Sequence, residues 1–252
     1  MTDTMGSILP LRHERGSAFH PLSRLMGKSL SFQNKVVAVT GASGTMGRAL
    51  ITELQHQGAT AIALTTSPQA DFVDDVRVVS WQAGHEAELQ AVFREVDILV
   101  INHGINVHGD RTATAIAKSL EINSLSVLAL MDTFIAAHAD PTDKEIWVNT
   151  SEAEVGPALS PLYEISKRLI GDLITLKRQD APCTIRKIIL GPFKSNLNPV
   201  GVMSADRVAK GVIARAKRDR RNIIVTINPL TFVAFPLKET AQSLYFRLFS
   251  RS

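Results

Sequence analysis

Short apolar runs alternate with helical apolar patterns along most of the chain. The first run, residues 36–39, ends at Thr40-Gly41, as expected for a strand that is buried on both faces. Similar runs predict six further strands, at 61–64, 76–79, 98–101, 146–148, 185–190 and 223–227. Apolar residues at helical spacing predict helices near 46–57, 85–94, 112–138, 161–178 and 204–218.

Strands that alternate with helices imply right-handed crossovers between parallel strands. We therefore predict an α/β fold for residues 34–227: a single doubly wound Rossmann-type domain with a mainly parallel seven-stranded sheet. Residues 1–33 show no steady period and are expected to form a loosely ordered leader, with a weak resemblance to a transit peptide. Residues 228–252 are expected to form a helical tail that is apolar and basic.

Composition places the chain among ordinary globular proteins, with 45% hydrophobic and 21% charged residues. The single cysteine, Cys183, cannot form an internal disulfide, which fits a reducing compartment. Uninterrupted apolar stretches are only a handful of residues long, whereas a bilayer span needs about 20, so no transmembrane helix is predicted. The expected location is the cytoplasm.

The net charge of +4 is unevenly distributed. Residues 36–203 hold thirteen basic and nineteen acidic side chains, whereas residues 204–252 hold ten basic and three acidic ones. The tail places an apolar stripe beside the basic run 217–221, which suits peripheral contact with an anionic membrane. Packing on the chain's own domain, or on a second subunit in a homo-oligomer, is the alternative. Nucleic-acid binding is not expected, because no stacking platform or known binding motif is visible.

A glycine-rich turn follows the first strand. Gly41 permits the tight turn, Gly44 lets backbone approach a pyrophosphate, and Gly47 lets the following helix pack closely on the sheet. The amides at the start of that helix attract anions. We therefore predict a dinucleotide site at the turn, made by Gly41, Ser43, Gly44, Thr45, Met46 and Gly47.

The end of the second strand indicates which dinucleotide is bound. A NAD site places Asp or Glu there to accept from the ribose 2′-hydroxyl. Here the sequence reads Thr65-Thr66-Ser67, without an acid. Hydroxyls can donate to phosphate oxygens, so NADP(H) is favoured over NAD(H), with Arg48 as the nearest cation for the 2′-phosphate.

Tyr163 and Lys167 lie four residues apart in a predicted helix and so share one face. A free phenol titrates near pH 10, too high for a base at neutral pH, but a fixed ammonium favours the phenolate. Tyr163 can then exchange a proton with a substrate oxygen. The chain has only two tyrosines, and this one follows the fifth strand of a dinucleotide fold.

These motifs together resemble the short-chain dehydrogenase/reductase family, over residues 34–225. The matching landmarks are 40–47, Asn102-His103-Gly104, Asn123, 148–151, 163–167 and 191–195. The resemblance implies that Tyr163 is the general acid/base and that Lys167 lowers its pKa and holds the nicotinamide ribose. It also implies that Ser151 binds the substrate oxygen and that Asn123 supports a proton-relaying water.

For the cofactor, the resemblance places Asn102 and Gly104 beside the adenosine side, and Gly191 and Ser195 beside the nicotinamide carboxamide. Some positions depart from the family pattern. Thr45 stands where the common subgroup has glycine, and the resulting Gly-x-x-Gly-x-x-Gly spacing is that of longer-chain relatives. In the family an Asp commonly follows the third strand and binds adenine, whereas this sequence reads Ser80-Trp81-Gln82 there. Trp81 is then either a stacking partner for the base or a buried structural residue.

The catalytic serine is the other departure. The usual Ser-Ser pair is replaced by Thr150-Ser151-Glu152. Ser151 is our assignment, with Thr150 as the alternative; a Glu152 carboxylate in the site would impair ordinary alcohol chemistry. The loop after Ser195 is short for a substrate lid. No metal site is expected.

The sequence therefore predicts an NADP(H)-dependent oxidoreductase that moves a hydride between the cofactor and a carbonyl or alcohol of a small-molecule or lipid-like substrate. The alternative is a non-catalytic NADP-binding sensor or scaffold of the same fold. Glu152, Thr45 and the short lid motivate that alternative, and the intact Tyr163/Lys167 pair opposes it.

Overall fold

The computed structural model describes residues 30–67, 70–72, 75–195 and 198–250. Within them, seven strands form one sheet. The strands are β1 (Val36–Thr40), β2 (Thr60–Thr65), β3 (Arg77–Ser80), β4 (Ile98–Ile101), β5 (Glu145–Asn149), β6 (Thr184–Leu190) and β7 (Asn222–Val225).

The strand order is β3-β2-β1-β4-β5-β6-β7, and every pairing is parallel. The predicted doubly wound, seven-stranded fold is confirmed. The order reverses between β1 and β4, which pair with Val37 opposite Ile98. Ligands of such sheets bind outside the carboxyl ends of the strands at this reversal.

Helices cover both faces of the sheet. They are α1 (Thr45–His56), α2 (Gln90–Phe93, after a 3-10 turn at Glu86–Leu89), α3 (Ala113–Leu120), α4 (Ser126–Ala136), α5 (Pro161–Lys177), α6 (Ala205–Lys217) and α7 (Thr231–Phe249). Alternate residues of β1 face the helices on opposite sides of the sheet. Val37 and Val39 pack with α1 and α6, and Ala38 packs with α4 and α5.

Helices α3 and α4 are joined by a π-helical segment, Glu121–Leu125, where the sequence predicts one continuous helix. Ala113–Ala136 is also the one stretch of the described residues that is long and apolar enough to cross a membrane. Residues such as Leu130 and Phe134 are fully buried in the domain, so the core accounts for its hydrophobicity. A π segment inside an α-helix frequently marks a functional position.

The described parts of the predicted leader and of the predicted tail both pack on this domain. Residues 1–29 of the predicted leader lie outside the described residues. Phe32, at its end, is buried edge-on against Trp147. The predicted tail forms α7, whose Phe235 is fully buried against Ile189 of β6 and Ile224 of β7.

Candidate functional site

The glycine turn brings the ends of β1 and β4 into close contact. Gly41 has a φ of +61°, and a Cβ there would lie 2.9 Å from the Cα of His103. A Cβ on Gly47 would lie 2.3 Å from the carbonyl oxygen of Gly41. Both positions therefore need glycine, the first for its backbone conformation and both for space.

A cavity of about 390 Å³ opens above this turn. Ten of the predicted cofactor residues line it: Gly41, Ser43, Gly44, Thr45, Met46, Thr65, Thr66, Asn102, Gly104 and Ser195. The amino end of α1 points its free amides at this cavity, and no acid occupies its first turn. The sequence analysis missed Phe193 and Ile122 in the wall, because apolar lining residues carry no motif.

Trp81 also lines the cavity, although it is only 8% exposed. Its ring meets the imidazole of His103 edge-on, with ring centroids 5.2 Å apart. Trp81 thus has features of both roles that the sequence left open, since it packs in the core and also presents a surface to the cavity.

At the end of β2, the hydroxyl of Thr65 donates to the hydroxyl of Ser43 at 2.9 Å. Arg48 stands beside them, with its Nε donating to the carbonyl of Ser43 at 3.0 Å and its guanidinium over the ring of Phe72. Arg48 also borders a second hollow of about 840 Å³ that shares Ser43 and Thr45 with the first. Arg48 therefore adjoins Ser43, one of the residues that line the first cavity.

The four predicted catalytic residues lie close together beside the cavity, near Gly104, but they are not among its lining residues. Tyr163 is half-buried on α5, and the hydroxyl of Ser151 lies near enough to its phenol to act on the pKa of the tyrosine. The Nζ of Lys167 lies 5.7 Å from the centre of the Tyr163 ring and donates to the carbonyl of Asn149 at 3.1 Å. Burial raises the pKa of Tyr163, while the Ser151 hydrogen bond acts to lower it.

Burial also lowers the pKa of Lys167 to about 8, against the opposing charge of Glu154. Lys167 is still largely protonated at neutral pH, so it can favour the phenolate of Tyr163. Because burial raises the pKa of Tyr163, its phenol stays protonated at neutral pH when no cofactor is bound, and little phenolate is present to act as a base. A positively charged nicotinamide bound nearby would add to the effect of Lys167.

Asn123 lies in the π-helical segment and is fully buried. Its amide accepts from the N–H of Ile105 at 2.8 Å and donates to the hydroxyl of Ser166 at 3.0 Å. A Cβ on Gly104 would lie 3.1 Å from the Asn123 Oδ1 and 3.7 Å from the Lys167 Nζ. Asn123 and Lys167 therefore meet at Gly104, at the edge of the cavity.

The side chains at 150–152 point in three directions. The hydroxyl of Thr150 donates to the carbonyl of Ile188 in β6, away from the site. The carboxylate of Glu152 accepts from the hydroxyls of Thr226 at 2.7 Å and Thr231 at 3.2 Å. Of the three, Ser151 is the one whose hydroxyl acts on Tyr163, and its assignment as the catalytic serine stays a prediction.

Four of the predicted cofactor residues are not among those that line the cavity: Gly47, Tyr163, Lys167 and Gly191. Gly191 does not line the cavity; a Cβ there would lie 2.2 Å from the Oγ1 of Thr226, so glycine is needed for packing. Ser195 does line the cavity, and its backbone forms a tight turn with Asn198. His103, by contrast, is structural: its ring nitrogens contact the hydroxyls of Thr40 at 2.9 Å and Ser126 at 3.2 Å.

The residues present fit the dinucleotide that the resemblance implies. The close approach at Gly41 leaves the helix amides open to the cavity, where a pyrophosphate would bind. Lys167 lies next to Gly104 in the cavity wall, and the nicotinamide and its ribose would lie on that side. The lining of the cavity runs from Thr65 and Thr66 at the end of β2 to Ser195 after β6.

Comparison with known proteins agrees with this geometry. The model of the NAD dependent epimerase/dehydratase family matches residues 37–172. The chain is 54% identical over 239 residues to the monoglucosyldiacylglycerol epimerase of Synechocystis sp., covering 91% of this chain and 58% of that protein. The chain thus spans somewhat more than half the length of this relative.

Solved structures share the fold at lower identity. A short-chain dehydrogenase from Burkholderia cenocepacia in complex with NADP superposes with a TM-score of 0.70 at 18% identity, covering 88% of this chain and 100% of that one. A short-chain dehydrogenase from Sphingobium yanoikuyae in complex with NADPH gives 0.69 at 15% identity, covering 86% and 97%. The chain belongs to the NAD dependent epimerase/dehydratase family, within the short-chain dehydrogenase/reductase superfamily.

Proposed function

We propose that this protein is an NADP(H)-dependent epimerase that inverts a hydroxyl-bearing carbon in the sugar of a glycolipid. The observation that carries the proposal is the cluster of Ser151, Tyr163 and Lys167 beside a cavity that ten of the predicted cofactor residues line. The 54% identity to a monoglucosyldiacylglycerol epimerase supports the substrate class.

The bound dinucleotide supplies a hydride acceptor and, in its reduced form, a hydride donor. Ser151 donates a hydrogen bond to the substrate oxygen and orients it towards Tyr163. The Tyr163 phenolate removes the hydroxyl proton as hydride leaves the same carbon, which produces a ketone. Lys167 stabilises the phenolate by its charge.

Epimerisation needs the reverse of this step on the other face of the ketone. The sugar ring turns over within the site, hydride returns to the same carbon, and Tyr163 gives its proton back to the oxygen. A dinucleotide bound there would be regenerated by the second half of the reaction, so epimerisation would consume no external oxidant or reductant. A dehydrogenase would stop after the first half and release the ketone. The segment between Ser195 and the start of α6 at Ala205 is short for a substrate lid, which suits a bulky head group.

The preference for NADP(H) rests on the end of β2. Thr65 and Thr66 line the cavity without a carboxylate, and Arg48 stands beside Ser43. A carboxylate there would repel a 2′-phosphate, whereas hydroxyls and a guanidinium can donate to it.

We also propose that the outer face of α7 rests on the membrane that holds the lipid substrate. Its exposed apolar side chains are Phe232, Val233, Leu237, Leu244, Tyr245, Leu248 and Phe249. Ser243 of α7 contacts Gln179, and the neighbouring Arg178 bonds the carbonyl of Arg221. The carboxyl half of α7 therefore lies at the same end of the domain as the exposed cations of 217–221, a combination suited to anionic lipid.

The direct test is an assay with monoglucosyldiacylglycerol in mixed micelles or vesicles and a substoichiometric amount of NADP⁺. We expect an epimer of this glycolipid to accumulate in excess over the cofactor, without net formation of NADPH. NADPH formed in equal amount with a ketone would indicate a dehydrogenase. Binding of NADPH with no conversion of glycolipid would favour the non-catalytic sensor.

A further inference from the structure

The catalytic serine is the first residue of a short turn whose position is set from outside the active site. Ser151 precedes the 3-10 turn Glu152–Glu154 and caps it, since its hydroxyl accepts from the N–H of Ala153 at 3.2 Å. The carbonyl of Ser151 also accepts from the N–H of Glu154 at 3.0 Å. Any movement of this turn therefore moves the hydroxyl that contacts Tyr163.

Helix α7 holds the first residue of the turn. The carboxylate of Glu152 accepts from Thr226, directly after β7, and from Thr231, the first residue of α7. Thr231 is 1% exposed, so its hydroxyl has no competing water. Thr226 in turn packs against Gly191, where even a Cβ would collide with it. The acceptor and both donors are thus fixed in position.

The same helix holds the last residue of the turn. Glu154 has a fully buried side chain and accepts from Lys187 of β6 at 3.3 Å and from Lys238 of α7 at 3.2 Å. Lys187 also bonds Glu239 of α7 at 2.6 Å. On α5, Gly171 makes room for the carboxylate, because a Cβ there would lie 2.2 Å from the Oε2 of Glu154.

Glu152 differs from Glu154 in its partners. Among the described residues it forms no ion pair with a lysine or arginine and is held by hydroxyls. Its contacts therefore gain little from attraction between opposite charges, but as hydrogen bonds they fix the direction of the carboxylate. They fix the carboxylate at the junction between the serine turn and the start of α7, which is what a positioning role needs.

We propose that Glu152, held by Thr226 and Thr231, is a positioning residue that keeps the Ser151 hydroxyl against the Tyr163 phenol. Helix α7 is by this account part of the active-site support, and its first turn is coupled to the catalytic serine. The inference rests on the proposed function for its kinetic consequences, but the contact itself can be measured without substrate.

The contact is read from the NMR signal of the tyrosine Cζ carbon at neutral pH, which responds to hydrogen bonding of the phenol. The chain has two tyrosines, so a Tyr245→Phe background leaves Tyr163 as the one signal. We expect Ser151→Ala to shift this signal and Glu152→Ala to shift it in the same direction. The double variant should match Ser151→Ala alone, because Glu152 acts through the serine.

Kinetics of the full chain with NADP⁺ and glycolipid give the second measurement. We expect Glu152→Ala and Thr231→Val to lower kcat about tenfold, with KM and the dissociation constant for NADPH changed less than about twofold. Glu152→Gln keeps an oxygen acceptor for both threonines and should recover most of the rate. Ser243→Ala removes an α7 hydrogen bond far from the turn and should leave both the rate and the Tyr163 signal unchanged.

The outcomes separate this inference from the proposed function. If Ser151→Ala lowers the rate and shifts the Tyr163 signal while Glu152→Ala does neither, the positioning role is wrong and the function stands. If Ser151→Ala has no effect on turnover, the proposed function itself fails. Equal loss of rate in Glu152→Gln and Glu152→Ala, with an unmoved Tyr163 signal, would show a purely structural role and overturn the inference.

Discussion

The hydroxyl of Thr40 and the Nδ1 of His103 lie 2.9 Å apart, and they join the ends of β1 and β4 beneath the cofactor cavity. The same hydroxyl accepts from the N–H of Asn102 at 2.9 Å. The far nitrogen of the imidazole contacts Ser126, the first residue of α4. His103 therefore ties together two strands and a helix at the point where the sheet order reverses.

Acid should weaken the fold through this histidine. Burial, followed by the charge of Lys167, lowers the pKa of His103 to about 3. An unfolded chain would bind a proton at His103 near pH 6.5, so between pH 6.5 and 3 the unfolded state holds more protons than the folded one. Stability is then fully present above pH 6.5 and falls as the pH is lowered, by up to about 1.4 kcal/mol per pH unit.

Chemical denaturation of the wild type and of His103→Gln at several pH values measures this effect. The variant is expected to be less stable at pH 7, because it loses the paired hydroxyl contacts, but to have a shallower decline below pH 6.5. Parallel curves for the two proteins would assign the acid sensitivity to other groups.

The catalytic pair predicts a separate effect on rate. Tyr163→Phe removes the proton that the phenol exchanges but keeps the ring, which packs within 5.7 Å of the Lys167 ammonium. We expect turnover to fall by about 10²–10⁴-fold, the usual contribution of a positioned acid/base group. The dissociation constant for NADPH, measured by nucleotide fluorescence, should change little. Near-normal turnover would remove Tyr163 from the mechanism.

Lys167 should limit the reaction at high pH. Its pKa of about 8 means that the ammonium is lost as the pH rises through that value, and with it the stabilisation of the Tyr163 phenolate. The rate of glycolipid oxidation should therefore fall above about pH 8. In Lys167→Arg the guanidinium stays protonated, so this fall should disappear whatever the absolute rate. A fall at the same pH in the arginine variant would point to a different group.

The sequence predicts the strands, the glycine turn and the Tyr163/Lys167 pair because these features are local and periodic. It also places Ser151 at the end of β5. The direction of the Glu152 side chain cannot be predicted from the sequence, because it depends on contacts with Thr226 and Thr231, more than 70 positions away in the chain. The π-helical segment at Asn123 is hidden for a similar reason: it is held by Ile105 and Ser166 rather than by its own propensity.

Cofactor selectivity can be tested at the end of β2. We expect NADPH to bind more tightly than NADH in fluorescence titrations. Arg48→Ala should weaken NADPH binding about tenfold or more, the usual value of a hydrogen bond to a charged group, and leave NADH binding unchanged. Thr66→Asp adds the carboxylate that accepts from a ribose 2′-hydroxyl, so it should shift the preference towards NADH. Equal loss of both nucleotides in Arg48→Ala would mean that Arg48 supports the turn and not the phosphate.

The exposed face of α7 gives the last prediction. Removing the whole helix is a poor test, because the loss of Glu239 would leave the buried Lys187 with only one of its two carboxylate partners. Leu244 and Leu248 are 57% and 67% exposed, so Leu244→Glu and Leu248→Glu alter the face without disturbing that network.

We expect the wild type to co-sediment with vesicles that contain anionic lipid, and less with neutral ones, because apolar insertion and basic charge act together. Each leucine variant should weaken this binding severalfold. Ala214→Glu adds the same charge on the exposed side of α6 and is the matched control. If the wild type ignores the vesicles and the leucine variants instead reduce its molecular mass in light scattering, the face is covered by a second copy of the chain, and the membrane proposal fails.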